Sequence, residues 1–426
     1  MTRDEAVARI HASYRPGKKS GHQRMRRLLE LLGDPHRQLK FVHIAGTNGK
    51  GSTAAMLDSI LRAAGLRTGR FVSPYLERFE ERITVDGEQI GEAALVSCLE
   101  RVLQAGERLV EEGFTPPTEF ETVTAIAFLH YLDSRCQLVV LEAGLGGARD
   151  ITNLIDTPEV AILTSISLDH TAQLGSRLTD IAKDKGGIIK QGGRVVLYPV
   201  QKPEVALLLM KRAHEMGAEV VVPETTALEV TYTSLDGNAF TYRGRPYELP
   251  LAGMHQALTA VTVLEAVALL RRRGFDLPEE AVVRGLDSVS FPGRMELRGV
   301  EPIRVLDGGH NIDGLETLSR AVDQLLRPEI RRLIVVFGIM GDKSWQPCLE
   351  TAAAMADTLI LTTAPDPRTA SPAEMAAVSP CADTRVAEEP FSALRLAREL
   401  AEAEDGILVC GSLYLVGLLR GALGED

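Results

Sequence analysis

Phe41-Val-His-Ile-Ala-Gly46-Thr-Asn-Gly49-Lys50-Gly51-Ser52-Thr53 is the stretch on which the fold turns. Its first six residues read as a buried strand entering a glycine-rich turn. Ser52 to Ala64 continues with apolar residues at Met56, Leu57, Ile60 and Leu61, and Gly65 suits a C-terminal cap. Glycines between a strand and a helix let backbone N–H groups turn inward around phosphate oxygens, and the helix N-terminus adds a favourable dipole. Gly46, Thr47, Asn48, Gly49, Lys50, Gly51, Ser52 and Thr53 are therefore candidates to hold a nucleotide. Lys50 would reach the outer phosphates, and the hydroxyl of Ser52 or Thr53 would approach a magnesium ion. The pattern G-x-x-x-x-G-K-[ST] is not met, because Ile44 replaces its first glycine and Gly51 follows the lysine. The plain alternative is a turn that only caps a helix. The strand before and the helix after favour nucleotide binding.

Outward from this loop, Leu138–Leu141 and Val160–Leu163 are short apolar runs of the kind found in parallel strands buried on both faces. Glu142 ends the first run and precedes Ala143-Gly-Leu-Gly-Gly147. Asp169-His170 stands in the same position after Val160–Ile166. An acid at the carboxyl end of such a strand points into the crevice where ligands bind. Alone, Glu142 could be a cap or a surface acid, and His170 a structural or exposed histidine, since magnesium seldom takes nitrogen. Beside a phosphate loop both gain weight as metal-binding groups. Lys185 lies in the apolar helical stretch Ile181–Ile189, and the residues alone predict that its amine reaches out to water.

From about 218 to 250 the pattern changes to β-branched alternation with turns at Asp236-Gly237 and Arg243-Gly244, which predicts a small antiparallel patch. Helical pattern returns at 254–273. After Phe291-Pro-Gly-Arg294, strand candidates Ile303–Leu306, Leu333–Phe337, Thr358–Leu361 and Ile407–Cys410 alternate with helical segments, which implies a second doubly wound unit. The expected fold class is α/β. A P-loop-containing doubly wound N-terminal domain with the antiparallel patch spans 1–296, and a Rossmann-like α/β domain spans 297–426. Two domains also suit a chain of 426 residues. The net charge of −11 argues against a nucleic-acid partner but not against small anions held by local basic groups. Five scattered cysteines without a C-x-x-C pair suit a reducing compartment. The N-terminus does not read as a signal peptide, and no apolar run would span a bilayer. A cytoplasmic protein without a membrane partner is expected.

These pieces together resemble the folylpolyglutamate synthase and dihydrofolate synthase family, within the wider Mur ligase group. The resemblance runs from Met25-Arg-Arg-Leu-Leu-Glu-Leu-Leu-Gly33 to Gly411-Ser-Leu-Tyr-Leu-Val416. It rests on the phosphate loop, Ser73-Pro74, Glu142-Ala-Gly-Leu-Gly-Gly147 with Asp150 and Asn153, Asp169-His170 and the Lys185 stretch. His255-Gln256, Phe291-Pro-Gly-Arg294, Asp307-Gly-Gly-His310-Asn311 and Val336-Phe-Gly338 with Asp342-Lys343 complete the order. The resemblance implies that Ser73, Glu142 and His170 are ligands of two magnesium ions shared with ATP. It implies a carbamylated Lys185 serving a metal, which reverses the reading from residues alone, and a monovalent cation such as K+. His255, Arg294, Asp307 and His310 would serve the nucleotide or glutamate side. Ser73, Pro74, Tyr75, Arg82, Phe120 and Glu121, with Thr118, would serve the first substrate. Departures from the family pattern are Tyr75 for histidine, Thr259 for asparagine, Ile312 for proline and Gly309 for alanine.

The implied reaction is ATP-dependent ligation. ATP turns a carboxylate into an acyl phosphate, and the amine of L-glutamate displaces phosphate, with no protein nucleophile required. Folate, and dihydropteroate as a second acceptor, are the expected partners, and the chain is expected to act as a monomer. The nearest rival is a Mur-type ligase with another acceptor, although Phe79-Glu-Glu-Arg82-Ile83 resembles the folate branch. A nucleotide-binding module without ligation is the other alternative.

Overall fold

A computed structural model describes residues 1–13 and 22–424, which divide into two compact units. The first comprises Met1–Ile166, Thr171–Thr225 and Thr259–Leu286; the second comprises Ser167–His170, Thr226–Leu258 and Asp287–Asp426.

The first unit is built on eight strands: β1 (Phe41–Ala45), β2 (Thr68–Phe71), β3 (Ile83–Val85), β4 (Glu88–Gln89), β5 (Leu138–Glu142), β6 (Val160–Leu163), β7 (Arg194–Leu197) and β8 (Glu219–Val221). Their order is β4-β3-β2-β5-β1-β6-β7-β8. The six from β2 to β8 run parallel, and β3 and β4 add an antiparallel edge. The central strands β1, β5 and β6 are largely apolar because both of their faces are covered. On one face Phe41, Phe71, Val139 and Leu141 pack with helices α1 (Arg3–His11), α2 (His22–Leu31), α4 (Glu92–Glu111) and α5 (Glu119–Asp133). On the other, Ala45, Ala161 and Leu163 join a cluster with Ile181, Val205 and Leu209. Helix α3 (Lys50–Ala63) follows β1 directly. Gly49 caps its N-terminus with φ +85°, a left-handed conformation that glycine adopts without a Cβ penalty.

The antiparallel patch is shorter than expected. Glu219–Val221 pairs parallel with β7 as the last strand of the large sheet, and only β9 (Leu228–Ser234), β10 (Gly237–Tyr242) and β11 (Arg245–Leu249) form the antiparallel sheet. The alternation that marks a half-buried strand also fits the edge of a parallel sheet, so periodicity could not separate them. This small sheet groups with the second unit.

The second unit's main sheet has the order β12-β13-β17-β14-β15-β16, with β12 (Glu296–Val300), β13 (Ile303–Leu306), β14 (Leu333–Phe337), β15 (Thr358–Leu361), β16 (Thr384–Val386) and β17 (Gly406–Cys410). All pairs are parallel except β12 with β13. Val305, Val335, Phe337, Leu359 and Leu408 build its core with Leu315, Leu318 and Leu349 from flanking helices. Among the described residues, no helix is long and apolar enough to cross a membrane.

Candidate active site

Register places four strand ends of the first unit side by side. Phe71 pairs with Leu141, Ile44 with Glu142, and Ala45 with Leu163. Because these strands are parallel, the loops after β1, β2, β5 and β6 leave the sheet along one edge, where a ligand crevice forms in such folds.

The phosphate loop is held from three sides. Thr47 N–H donates to the Ser165 carbonyl at 2.7 Å, and Ser165 Oγ donates to the Asn48 carbonyl at 3.3 Å. A Cβ on Gly46 would lie 1.8 Å from Thr164 Oγ1, so no side chain fits there. Thr259, which also belongs to this unit, lies near Gly49, its Oγ1 3.7 Å from where a Cβ would be. Lys50 Nζ donates to the Thr47 carbonyl at 3.0 Å and stands 3.8 Å from Glu142 Oε1. The Thr53 hydroxyl turns back to the Gly49 carbonyl at 2.7 Å, leaving Ser52 as the first-turn hydroxyl better suited to a ligand.

The lysine at 185 does not reach water. It is 4% exposed, and its Nζ donates to the Gly46 carbonyl at 2.6 Å. This corrects the surface reading made from residues alone. The helix Leu178–Lys185 ends against the loop after β5, where Gly147 N–H donates to Asp184 Oδ1 at 2.9 Å and a Cβ on Gly147 would lie 2.6 Å from the Lys185 carbonyl. The helix end is thus held beside the phosphate loop, and the amine is turned inward to that loop. Lys50, Glu142 and Lys185 all converge on the phosphate loop.

Asp150 shapes the same loop. Its carboxylate accepts from Leu145 N–H at 2.6 Å, Thr152 N–H at 2.9 Å and Thr152 Oγ1 at 2.6 Å, while burial raises its pKa. Asn153 Nδ2 donates to the Gly187 carbonyl at 3.1 Å.

On the side of β2, Ser73 is partly buried and joined to Pro74 by a cis peptide. Tyr75 packs near Phe79, with ring centroids 6.1 Å apart. The Arg82 guanidinium lies 5.7 Å from the rings of both Phe79 and Phe120. Phe120 covers Gly144, where a Cβ would lie 2.3 Å from its ring. Glu121 has a different setting from Phe120. It caps α5 with Thr118 and forms a buried two-point pair with Arg24 at 2.8 and 2.9 Å. Sequence reading missed Arg24, although it sits one turn before Leu28 on the apolar stripe of α2. An arginine on such a stripe signals a buried carboxylate partner.

The second unit carries its own polar cluster. Asp169 accepts from Lys343 Nζ, from Asn311 Nδ2 at 3.1 Å and from His170 N–H at 2.7 Å. Burial opposes its ionisation, yet Lys343, His170 and His310 together hold its carboxyl well below the usual range. His170 is exposed and sits at φ +50°. The His310 Nε2 lies 3.9 Å from Asp169 Oδ2, and burial with Lys343 pushes its pKa down to about 4. Asp307 accepts from Met295 N–H at 2.9 Å and Gly309 N–H at 2.7 Å, and burial raises its pKa. An alanine at 309 would bring its Cβ to 3.0 Å from Asp307 Oδ1, so glycine relieves that approach. Arg294 stacks over Phe291 at 5.7 Å beside Asp307. His255, beside Gly253, has its pKa pushed down to about 4 by burial and by Arg294 and Arg320. Ile312 opens the helix capped by Asn311, whose Oδ1 accepts from Gly314 N–H, so proline is not needed to start it.

Among the described residues, no group of three or more His, Cys, Asp or Glu side chains is placed to hold a metal ion. Hard oxygen donors are present in the Glu142 carboxylate at the end of β5, the Ser73 hydroxyl after β2 and the Ser52 hydroxyl in the first turn of α3. Magnesium bound with a nucleotide takes one or two carboxylates and completes its shell with water and phosphate, so this donor set fits it.

Residues 44–267 match the Mur ligase middle domain, and residues 293–413 match the Mur ligase glutamate ligase domain. The chain is 34% identical to folylpolyglutamate synthase of Lacticaseibacillus casei, over 99% of both chains. It is 32% identical to dihydrofolate synthase/folylpolyglutamate synthase of Bacillus subtilis, over 98% of both. The solved structure of Mycobacterium tuberculosis folylpolyglutamate synthase complexed with ADP superimposes with a TM-score of 0.90 at 30% identity, covering 100% of this chain and 98% of that one. With two α/β units and these relatives along its whole length, the chain belongs to the folylpolyglutamate synthase/dihydrofolate synthase family of ATP-dependent ligases, within the Mur ligase group.

Proposed function

We propose that this chain adds L-glutamate to the carboxylate of a folate, and to dihydropteroate as well, at the cost of one ATP. The convergence of Lys50, Glu142 and Lys185 on the Gly46–Gly49 turn carries this reading. The acceptor carboxylate attacks the γ-phosphorus of ATP, ADP leaves, and an acyl phosphate results. The neutral amine of glutamate then attacks the acyl carbon. A proton is lost, the C–O bond to phosphate breaks, and the amide forms with release of inorganic phosphate. Lys50 and the loop N–H groups neutralise charge on the transferred phosphoryl group.

Magnesium, when bound, offsets phosphate charge and orients the phosphoryl oxygens. Ser73, Glu142 and His170 are the proposed side chains that hold two such ions, with a monovalent cation such as K+ in support. Lys185 is proposed to carry a carbamate, formed when its neutral amine adds carbon dioxide and loses a proton, which would add another hard oxygen donor. Gly46, Thr47, Asn48, Gly49, Gly51, Ser52, Thr53, His255, Arg294, Asp307 and His310 are assigned to the nucleotide. Ser73, Pro74, Tyr75, Arg82 and Phe120 are assigned to the acceptor. Glu121 supports them through Arg24. Residues 1–296 would serve ATP and the acceptor, and 297–426 glutamate. The proposed working form is a cytoplasmic monomer.

Purified protein with ATP, magnesium and glutamate should release phosphate on addition of either tetrahydrofolate or dihydropteroate. Release with a muramyl-nucleotide acceptor alone would instead make it a Mur-type ligase of another pathway. ATP binding without any acceptor-dependent release would leave only a binding module.

A further inference from the structure

Phe79-Glu-Glu-Arg82, of which the family resemblance singled out only Arg82 for the acceptor, is a three-way anchor. Glu81 organises the loop from within, accepting N–H groups of Leu76 at 2.8 Å, Glu77 at 3.1 Å and Arg78 at 2.8 Å. Glu80 points the other way, is 4% exposed, and receives both Nε and Nη2 of Arg3 in α1, the latter at 2.9 Å. Arg82 is 6% exposed, with Nη1 3.5 Å from Glu119 Oε1 and its carbonyl accepting Val72 N–H at 3.1 Å, next to Ser73. Helix α1 makes a second attachment through His11. Its Nδ1 lies 3.2 Å from Glu119 Oε1, and its ring lies edge-on to Phe79 at 5.8 Å and 6.5 Å from Tyr75. The helix itself is fixed by a Thr2–Glu5 capping box and by the buried Ala6 and Ile10. Both ends of α1 therefore grip the segment that carries Tyr75 and Arg82.

We propose that Arg3, acting through Glu80, is a positioning residue that sets where Arg82 and Tyr75 stand, and so sets the affinity for the acceptor without touching it. This rests on the reading that the Ser73–Arg82 segment holds the acceptor. The bland alternative is a pair that only stabilises the N-terminal helix. That alternative lowers the melting temperature and moves all Michaelis constants together or none, whereas a positioning role moves one.

The full-length enzyme is compared with Arg3→Ala, Arg3→Lys, Glu80→Gln, Arg82→Ala and the exchanged pair Arg3→Glu/Glu80→Arg, measuring KM for tetrahydrofolate, ATP and glutamate together with kcat. In Arg3→Ala the acceptor KM should rise about tenfold, the effect of losing roughly one charge-assisted hydrogen bond, with kcat and the ATP KM within about twofold. Arg3→Lys, which keeps the charge but loses the two-point pair, should recover only part of the affinity, and so should the exchanged pair. If Arg3→Ala does not fold, Glu80→Gln carries the same expectation at about threefold. An unchanged acceptor KM in Arg3→Ala, or all three constants rising together, overturns the inference. When Arg82→Ala raises the acceptor KM and Arg3→Ala does not, only this inference fails. When Arg82→Ala leaves it unchanged, the acceptor reading of the segment fails and takes the inference with it.

Discussion

Lys50 Nζ stands 3.8 Å from Glu142 Oε1, although 92 residues separate them in sequence. Parallel pairing of β1 with β5 makes this meeting unavoidable, since Ile44 and Glu142 are register partners and Lys50 opens the helix that follows β1. A cation and a hard anionic donor side by side at the glycine-rich loop suit a magnesium-bound triphosphate. Lys50→Ala should reduce ATP-dependent phosphate release by about 10²- to 10³-fold, as removal of a transition-state charge partner commonly does. Lys50→Arg should remain poor, because a planar fork cannot replace a compact ammonium. Steady-state phosphate release measures both, and near-normal turnover in Lys50→Ala contradicts the role.

Glu142 is 4% exposed at the end of β5, a setting too buried for a surface acid. Glu142→Ala should raise the magnesium concentration needed for half-maximal rate, and His170→Ala should do the same. The folded protein should survive Glu142→Ala, because Lys50, the cation left behind, is only partly buried and keeps its bond to the Thr47 carbonyl. A magnesium titration of each variant is the check. Superimposable curves for variant and parent take that residue out of the metal site.

Gly46 tests whether the loop must approach β6 so closely. Its missing side chain leaves room for Thr164 Oγ1, which would lie 1.8 Å from a Cβ, with Thr164 Cβ at 2.9 Å. Gly46→Ala should therefore weaken ATP binding by at least about tenfold through displacement of the loop. Thr164→Gly in the same chain should restore part of the affinity, because the two closest obstructing atoms are removed. Calorimetric titration with ATP measures the pair, and a double variant no better than the single one shows that the strain lies elsewhere.

Three of the six parallel strands, β1, β5 and β6, were legible because each is a largely apolar run, the first two ending in glycine turns, whereas β2 and β7 are four residues long and each carries an arginine. Lys50 and Glu142 were legible for the same reason, as each sits next to such a turn. Lys185 was not. Its helix is apolar enough to be buried, but nothing local tells that Gly147 lies flat against the Asp184 and Lys185 carbonyls and so turns the lysine toward the Gly46 carbonyl. Arg24 and Arg3 were missed because their partners Glu121 and Glu80 lie 97 and 77 residues away, and pairing at that distance is set by packing rather than by pattern. Val221 looked like the start of an antiparallel sheet because edge strands of either kind alternate in the same way.

Burial pushes the pKa of His43, in the middle of β1, down to about 3. Thr152 Oγ1 donates to Asp150 at 2.6 Å, so it accepts from His43 Nε2 at 2.9 Å, and the ring is neutral with its proton on Nε2. Nδ1 is buried with no partner among the described residues, so a second proton would place an uncompensated charge in the core. The unfolded chain takes up that proton near pH 6.5 and the folded chain only near pH 3. Stability contributed by this residue is therefore complete above pH 6.5 and is lost as pH falls between these values. The loss approaches about 1.4 kcal/mol per pH unit for one proton. His255 and His310, also pushed down to about 4, act in the same sense, so the parent slope exceeds one proton. His43→Gln keeps a donor toward Thr152 but cannot titrate. Its urea midpoint should fall less steeply than the parent's between pH 6.5 and 4.5. Parallel slopes would mean that His43 is already charged in the folded protein, with Nδ1 protonated despite its burial.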